Sequence, residues 1–199
     1  TVWDTYGGKR VVKIDIHTHT RKCKSGDAQT REISPENFCD AILSTEVRVV
    51  AITNHNVFDL SQFQAIQARI KTDAQVWPGV ELDVYDDQGK GHLLIITSPK
   101  LATQFSAAVT SLTNGHTPDS FKVTIPDVLE TFDAMEPIYV AHYKQKQPSV
   151  SDDMLAALEA GVRNKWSILK EVSNAISAGI HISHGRSSIY GSDVHDWGK

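Results

Sequence analysis

Cysteine is scarce in this chain, and the little there is follows no pairing pattern. Cys23 and Cys39 are the only two in 199 residues, and they make no CxxC or zinc-ribbon spacing. That count argues against a disulfide framework. Two free thiols suit a reducing compartment, so a cytoplasmic location is expected. Long apolar runs are missing as well. "VVAI" at 49–52 and "LLII" at 93–96 fall far short of the roughly 20 residues that span a bilayer, so no membrane partner is expected. No signal peptide is legible, although the chain opens on Thr1 instead of Met. Excess positive charge is also absent: 20 Lys and Arg stand against 24 Asp and Glu, for a net charge of −4 with histidines neutral. The global basic footprint of a dedicated duplex binder is therefore not there. A local groove for nucleic acid is left open.

What the chain does have is the composition of a globular domain, 40% hydrophobic and 22% charged. Its length suits one domain over 1–199 with a core that needs no covalent staples. The opening at Thr1 and the stop at "VHDWGK" predict a piece of a longer chain. β-rich runs are predicted at 11–16, 48–53, 76–84, 92–97, 137–142, 168–172 and 188–192. Between them, "SPENFCDAILST" predicts a helix capped by Ser34 with Pro35 at its first position. "LSQFQAIQARIKT", "IPDVLETFDAM" and "SDDMLAALEAGVRN" carry apolar residues at helical spacing, the last capped by Ser151. Residues 98–126 read as a loop or insertion. Strands alternating with helices predict an α/β domain whose sheet is largely parallel, open or closed into a barrel.

In such folds chemistry collects where strands end. The first strand ends in "DIHTHT", with His17 and His19 one residue apart and sharing parity with Asp15, so both histidines point to one face. Ile14 and Ile16 are expected on the other. The second strand ends at His55, the third carries Glu81, the fifth ends at His142, and the last runs into Asp193 and His195. Each has a plainer reading. HxH can be a polar strand end, "TNHN" a turn, and Glu81 half of an internal ion pair. His92 opens a strand, which fits the pattern only if that strand runs antiparallel or the histidine reaches in from a loop. His116, His181 and His184 fall in loop-like sequence. The recurrence of ligand-type side chains at equivalent places is what suggests a shared metal pocket.

Taken in order, "DIHTHT", "ITNHN", "PGVEL", "GHLLII", "VAHY" and "GSDVH" resemble the motif series of the PHP (polymerase and histidinol phosphatase) superfamily, from Asp15 to His195. The resemblance implies a distorted (β/α)7 barrel with two or three divalent ions at its C-terminal mouth, and hydrolysis of phosphate esters. Carried over by position, His17, His19, Glu81 and Asp193 would hold one ion. Glu81 would bridge to a second held by His92 and His142, and His55 and His195 would hold a third. For the further ligand usual after HxH, the segment "TRKCKSGDAQ" offers only Asp27. Asn54 stands where an Asp is usual, and Tyr143 where a Pro is common. A mixed imidazole and carboxylate set suits Zn, Mn or Fe better than Mg. Glu81 is then a bridge and not the base, an ion-activated water being the nucleophile. Among the basic residues beside the motifs, Arg186 and Lys144 are expected to contact the substrate's phosphate.

Three functions fit. The first is a nuclease-like phosphodiesterase acting on nucleic acid or nucleotides. The resemblance extends to PHP domains joined to an ATPase module, which it implies as a partner in the same chain. The second is a phosphomonoesterase on a small metabolite, as in histidinol phosphate hydrolysis. The third is a metal-stabilised regulatory domain with little catalysis.

Overall fold

The structure, a computed structural model, describes residues 4–6, 9–27, 29–71, 73–185 and 187–197. A short antiparallel hairpin, β1 (Asp4–Tyr6) and β2 (Lys9–Val11), precedes a seven-stranded sheet. Its strands are β3 (Lys13–Thr18), β4 (Val47–Ile52), β5 (Gln75–Asp86), β6 (Gly89–Ile96), β7 (Ile138–His142), β8 (Ile168–Glu171) and β9 (Ser188–Ile189). They lie side by side in chain order. Neighbours are parallel except at β5–β6 and β6–β7, so β6 alone runs backwards. Beyond β9 the chain returns to β3: Thr18 bridges Val194 in parallel, and the Asp193 N–H donates to the His17 carbonyl at 3.0 Å. The sheet is thereby drawn round toward a distorted barrel, as the sequence predicted.

Alternation along the strands separates two environments. In β5, Val80, Leu82 and Val84 face outward into a helix-covered core with Phe105, Val128, Phe132 and Leu158. These come from α3 (Ala102–Thr113), α4 (Ile125–Phe132) and α5 (Asp152–Gly161). A second outer cluster joins β4 to α1 (Pro35–Leu43) and α2 (Leu60–Ile70) through Val50, Ile52, Phe38, Phe63 and Ile66. On the inner face, Ala51, Leu94, Ile96 and Val140 make an apolar floor. Leu94 is the cross-strand partner of Glu81, and His92 that of Asp83, so the same face turns polar toward the mouth. The β5–β6 reversal is a tight turn. Asp86 accepts from the Gln88 and Gly89 amides at 2.8 and 3.1 Å, and Gly89 takes a φ of 136° that other residues rarely adopt.

All seven predicted strands exist, with ends shifted by a few residues. The capped helices start where Ser34 and Ser151 predicted them. Two segments differ. Within 98–126 lies α3, whose buried Ala102, Phe105 and Val109 recur at helical spacing. The sixth helix, α6 (Ala175–Ser183), is capped by Asn174 and contains His181, with His184 at its C-terminal cap. Ile16 also departs from simple parity. The β3–β4 register is irregular between Asp15 and Thr18, and Ile16 joins the inner floor instead of the outer face. Cys23 and Cys39 are free thiols. Among the described residues no helix is long and apolar enough to cross a membrane.

At the start of α2, Asp59 accepts from the Gln62 amide at 2.9 Å and pairs with Arg21 at 2.6 Å. Burial opposes its charge, but these donors and Ser61 hold its carboxyl below the ordinary 3.8. Asp59→Ala is expected to cost about 1 kcal/mol at neutral pH. Because the folded value is depressed, that contribution is complete above pH 3.8 and fades as the pH falls through the folded value. Denaturant melts of wild type and variant that differ equally above and below that pH would refute this.

Candidate metal centre

Each side chain at the mouth is brought there by a backbone feature. β3 ends in His17 and His19, both buried. After β4 the chain keeps pairing with β5. The Glu81 amide donates to the Asn54 carbonyl at 3.1 Å, the Asn56 amide to the Glu81 carbonyl at 2.8 Å, and His55 bridges Glu81 directly. Asn54 braces the neighbouring loop, its Oδ1 accepting from the Thr20 amide at 2.8 Å. Asn56, left-handed at φ 55°, accepts from the Asp83 amide at 2.9 Å. Because β6 is antiparallel, its first residues lie beside the last of β5, which brings His92 to the mouth although it opens a strand. That settles the one position that broke the strand-end pattern.

The nine residues singled out as ligands converge. His17 Nε2 lies 3.1 Å from His19 Nε2, 3.1 Å from Glu81 Oε2 and 3.2 Å from Asp193 Oδ1. His19 Nε2 lies 3.3 Å from Glu81 Oε2 and 3.2 Å from Asp193 Oδ1. Ligand atoms about 2.0–2.1 Å from a tetrahedral ion stand about 3.3 Å apart, so these separations suit a shared centre. Glu81 Oε1 faces the other way, in contact with His92 Nδ1 and 3.4 Å from His142 Nε2. His55 Nδ1 is 3.2 Å from Glu81 Oε2, and its Nε2 is 3.5 Å from Asp27 Oδ1. His195 Nε2 is 3.0 Å from Asp193 Oδ1, and His195, His55 and His19 bring their ring nitrogens together. Asp27 is fixed from behind by the Cys23 and Lys24 amides, at 3.0 and 2.8 Å on its Oδ2.

The donor set fits divalent ions better than it fits itself. His55 Nδ1, Glu81 Oε1, His142 Nε2 and His92 Nε2 are buried and make no hydrogen bond, although each has a neighbour at close range. Atoms crowded together whose lone pairs do not point at one another are arranged for a common partner, and unpaired burial costs about 1–3 kcal/mol per group. Electrostatics agree. Burial works against the charged form of His17, but Glu81 and Glu171 overcome it and raise its pKa to about 10. Burial lowers that of His55 to about 3. Glu81 stays ionised, well below the usual carboxylate range despite complete burial, because His17, His55 and His92 surround it. Asp193 is likewise depressed: burial opposes its charge, and His19 and His195 outweigh it.

Around this cluster lie further charges, one of which, Glu171, sequence reasoning did not single out. Glu171, at the end of β8, contacts His17 Nδ1 through both oxygens, at 2.9 and 2.8 Å. Burial raises its pKa but His142 and His17 win, bringing it to about 2. It ends a strand, as the ligands do, and that signal was available. Lys146 Nζ reaches Asp193 Oδ2 at 2.6 Å and Glu171 Oε1 at 3.6 Å. Lys144 does not reach the cluster; it is exposed, with its ammonium 5.1 Å from the Tyr143 ring centre. Arg186 lies outside the described residues. Lys24 is buried against Asp83 at 2.9 Å, and Asp83 in turn lies 2.9 Å from His92 Nε2. A cleft of about 580 Å³ opens beside the cluster, lined among others by Lys24, Asp27, His55, His92 and His195. That is within the size range of small-molecule sites. Of the remaining histidines, His116 packs near Phe121 and His181 against Tyr143.

No protein-family model matches the chain, and no curated protein matches it. Solved structures do. A protein of Bifidobacterium adolescentis assigned as a metal-dependent phosphoesterase superposes with a TM-score of 0.61 at 13% identity, over 94% of this chain and 88% of that one. A two-domain protein of Bacteroides vulgatus containing a predicted PHP-like metal-dependent phosphoesterase gives 0.58 at 13% identity, over 92% of this chain but only 52% of its own. An amidohydrolase of Chromobacterium violaceum, with bound sulfate and no metal, gives 0.58 at 15% identity, over 92% and 87%. At these identities the likeness establishes a shared fold.

Ions that bind only the folded cluster should stabilise it, by about 2.7 kcal/mol at a hundredfold excess over Kd. Zn²⁺ or Mn²⁺ added to chelator-treated protein is expected to raise the thermal midpoint. His17→Ala should remove most of that rise. A midpoint indifferent to both ions would show that the cluster holds neither.

Proposed function

We propose that the chain is a metal-dependent phosphoesterase of the PHP type, acting on phosphodiesters of nucleic acid or nucleotides. The observation that carries this reading is Glu81: one buried carboxylate whose two oxygens face different imidazole groups, Oε2 toward His17, His19 and His55, Oε1 toward His92 and His142. His17, His19, Glu81 and Asp193 would hold one ion. Glu81, His92 and His142 would hold a second, and His55, His195 and Asp27 a third. Such ions, Zn, Mn or Fe by the ligand chemistry, polarise a phosphoryl oxygen and make a water acidic enough to attack near neutrality.

The chain's own part is binding and orientation. His55, His92, His195 and Asp27 line the cleft, so substrate enters on their side. Lys90, also on the cleft, is a partly exposed cation 4.0 Å from Asp83 and available to a second phosphate. Lys146 adds positive charge on the opposite side and holds the Asp193 carboxylate. Lys144, which is exposed, and Arg186, which lies outside the described residues, remain candidates for phosphate contact. The cleft has room for a diester with groups on both sides of phosphorus. The amidohydrolase sharing the fold makes C–N hydrolysis the competing chemistry, and a small phosphomonoester the competing substrate.

Metal-loaded protein should therefore cleave a chromogenic phosphodiester and labelled single-stranded DNA faster than a chromogenic monoester or amide. His17→Ala and Asp193→Ala are expected to lower turnover by more than about 100-fold while circular dichroism is retained. Asp27→Ala should reduce the ion count found by elemental analysis. Turnover confined to the monoester or the amide would replace this reading.

A further inference from the structure

We infer that Glu171 is the positioning residue of the centre: by holding Nδ1 it fixes the His17 ring so that Nε2 is the nitrogen turned toward an ion. The inference rests on the metal-binding reading above. An imidazole ligates through a nitrogen lone pair, and which nitrogen keeps its proton is decided by the partner of the other one. In His17 the division is unambiguous. Nε2 faces His19, Glu81 and Asp193, the convergent donors. Nδ1 faces only Glu171, whose two oxygens stand 2.9 and 2.8 Å from it. Both side chains are about 1% exposed, so water offers Nδ1 no substitute.

The surrounding chain locks the pair. Gly191 leaves no space: a Cβ there would stand 2.7 Å from His17 Cβ and 3.0 Å from Glu171 Oε1. The Asp193 amide holds the His17 carbonyl at 3.0 Å, so the ring, its backbone and the segment bearing Asp193 move as one. Lys146 Nζ, 3.6 Å from Glu171 Oε1 and 2.6 Å from Asp193 Oδ2, spans the positioning carboxylate and the proposed ligand. Glu171 Oε2 is also 3.3 Å from His142 Nε2, so a direct ligand role is the alternative to be separated.

Glu171→Gln keeps the shape and one acceptor but removes the charge, and Glu171→Ala removes both. Zn²⁺ titration by calorimetry is expected to show about 10-fold weaker binding for the first and about 100-fold for the second. Elemental analysis at saturating Zn²⁺ should find the same number of ions as in wild type. Nitrogen-15 spectra of the Zn²⁺-loaded wild type should show His17 protonated at Nδ1 and slow to exchange, with exchange accelerated in both variants. Should the alanine variant fail to fold by circular dichroism, the glutamine variant decides alone. Unchanged Zn²⁺ affinity, or one ion fewer at saturation, overturns the inference while leaving the metal centre standing. A wild type that binds no Zn²⁺ or Mn²⁺ overturns both.

Discussion

A carboxylate with 1% of its surface exposed sits at the middle of this mouth, and the arrangement of everything near it follows from that burial. Removing an ionised acid from water costs on the order of several kcal/mol even after the protein relaxes, and that cost is offset only if cations or donors close in on it. Glu81 is met by five imidazoles, of His17, His19, His55, His92 and His142. They come from the ends of β3, β4 and β7 and from the start of β6. With protons as the only cations, the network is held by a His17 pushed up to about 10 and a Glu81 held well down. Divalent ions would displace those protons and take the lone pairs that no hydrogen bond uses.

The reversed strand is what makes such a ring of ligands possible. A wholly parallel sheet places every strand's C-terminal end at one rim, and neighbouring ligands then come from separate βα units. The Asp86–Gly89 turn sends β6 straight back beside β5, so that Asp83 and His92 are cross-strand partners and Glu81 lies one inward position deeper. Two adjoining strands therefore supply the central acid Glu81, the imidazole of His92 that contacts it, and the Asp83 carboxylate that meets that imidazole's other nitrogen, Nε2, at 2.9 Å. The floor of Leu94, Ile96 and Val140 beneath them keeps water out from below.

Much of this was legible in the sequence because it is written in short-range pattern. The alternation in "PGVELDV" separates Val80, Leu82 and Val84 from Glu81 and Asp83, and the structure places the two sets on opposite faces. Ser34 and Ser151 announced their helices through capping chemistry. What parity and spacing left open or missed depends on long-range contact. Whether His92 belonged to the pattern turned on the direction of β6, which sequence parity does not encode. Glu171 reads as one acid in "LKEV" until His17, 154 positions away, is found against it. Lys144 and Lys146 are indistinguishable in a run of polar residues; the left-handed backbone at Lys144, φ 58°, sends one outward while the other folds onto Asp193. In α6 the isoleucines that would have signalled a helix face, Ile176 and Ile180, are exposed, so its periodicity points to no core.

The two sides of the cluster are built differently, and under the proposed function the difference bears on how a substrate would meet it. On the side of His17 and His142, Glu171, Lys146 and Gly191 close around the ligands and leave little freedom. On the side of His55, His92 and His195 the walls are a cleft and the loop 20–27. That loop carries Asp27 toward His55 and buries Lys24 against Asp83, so one segment delivers both a candidate ligand and the cation that balances the second acid of β5. Without Lys24, Asp83 would be a second buried negative charge with, among the described residues, His92, Asn56 and the more distant Lys90 against it. With Lys24 pairing Asp83 inside the wall, the more distant and partly exposed Lys90 would, under the proposed function, shape the field that an anionic substrate meets. Under the proposed function, the close packing behind His17 would fix the geometry of the candidate ligands, while the cleft wall balances charge.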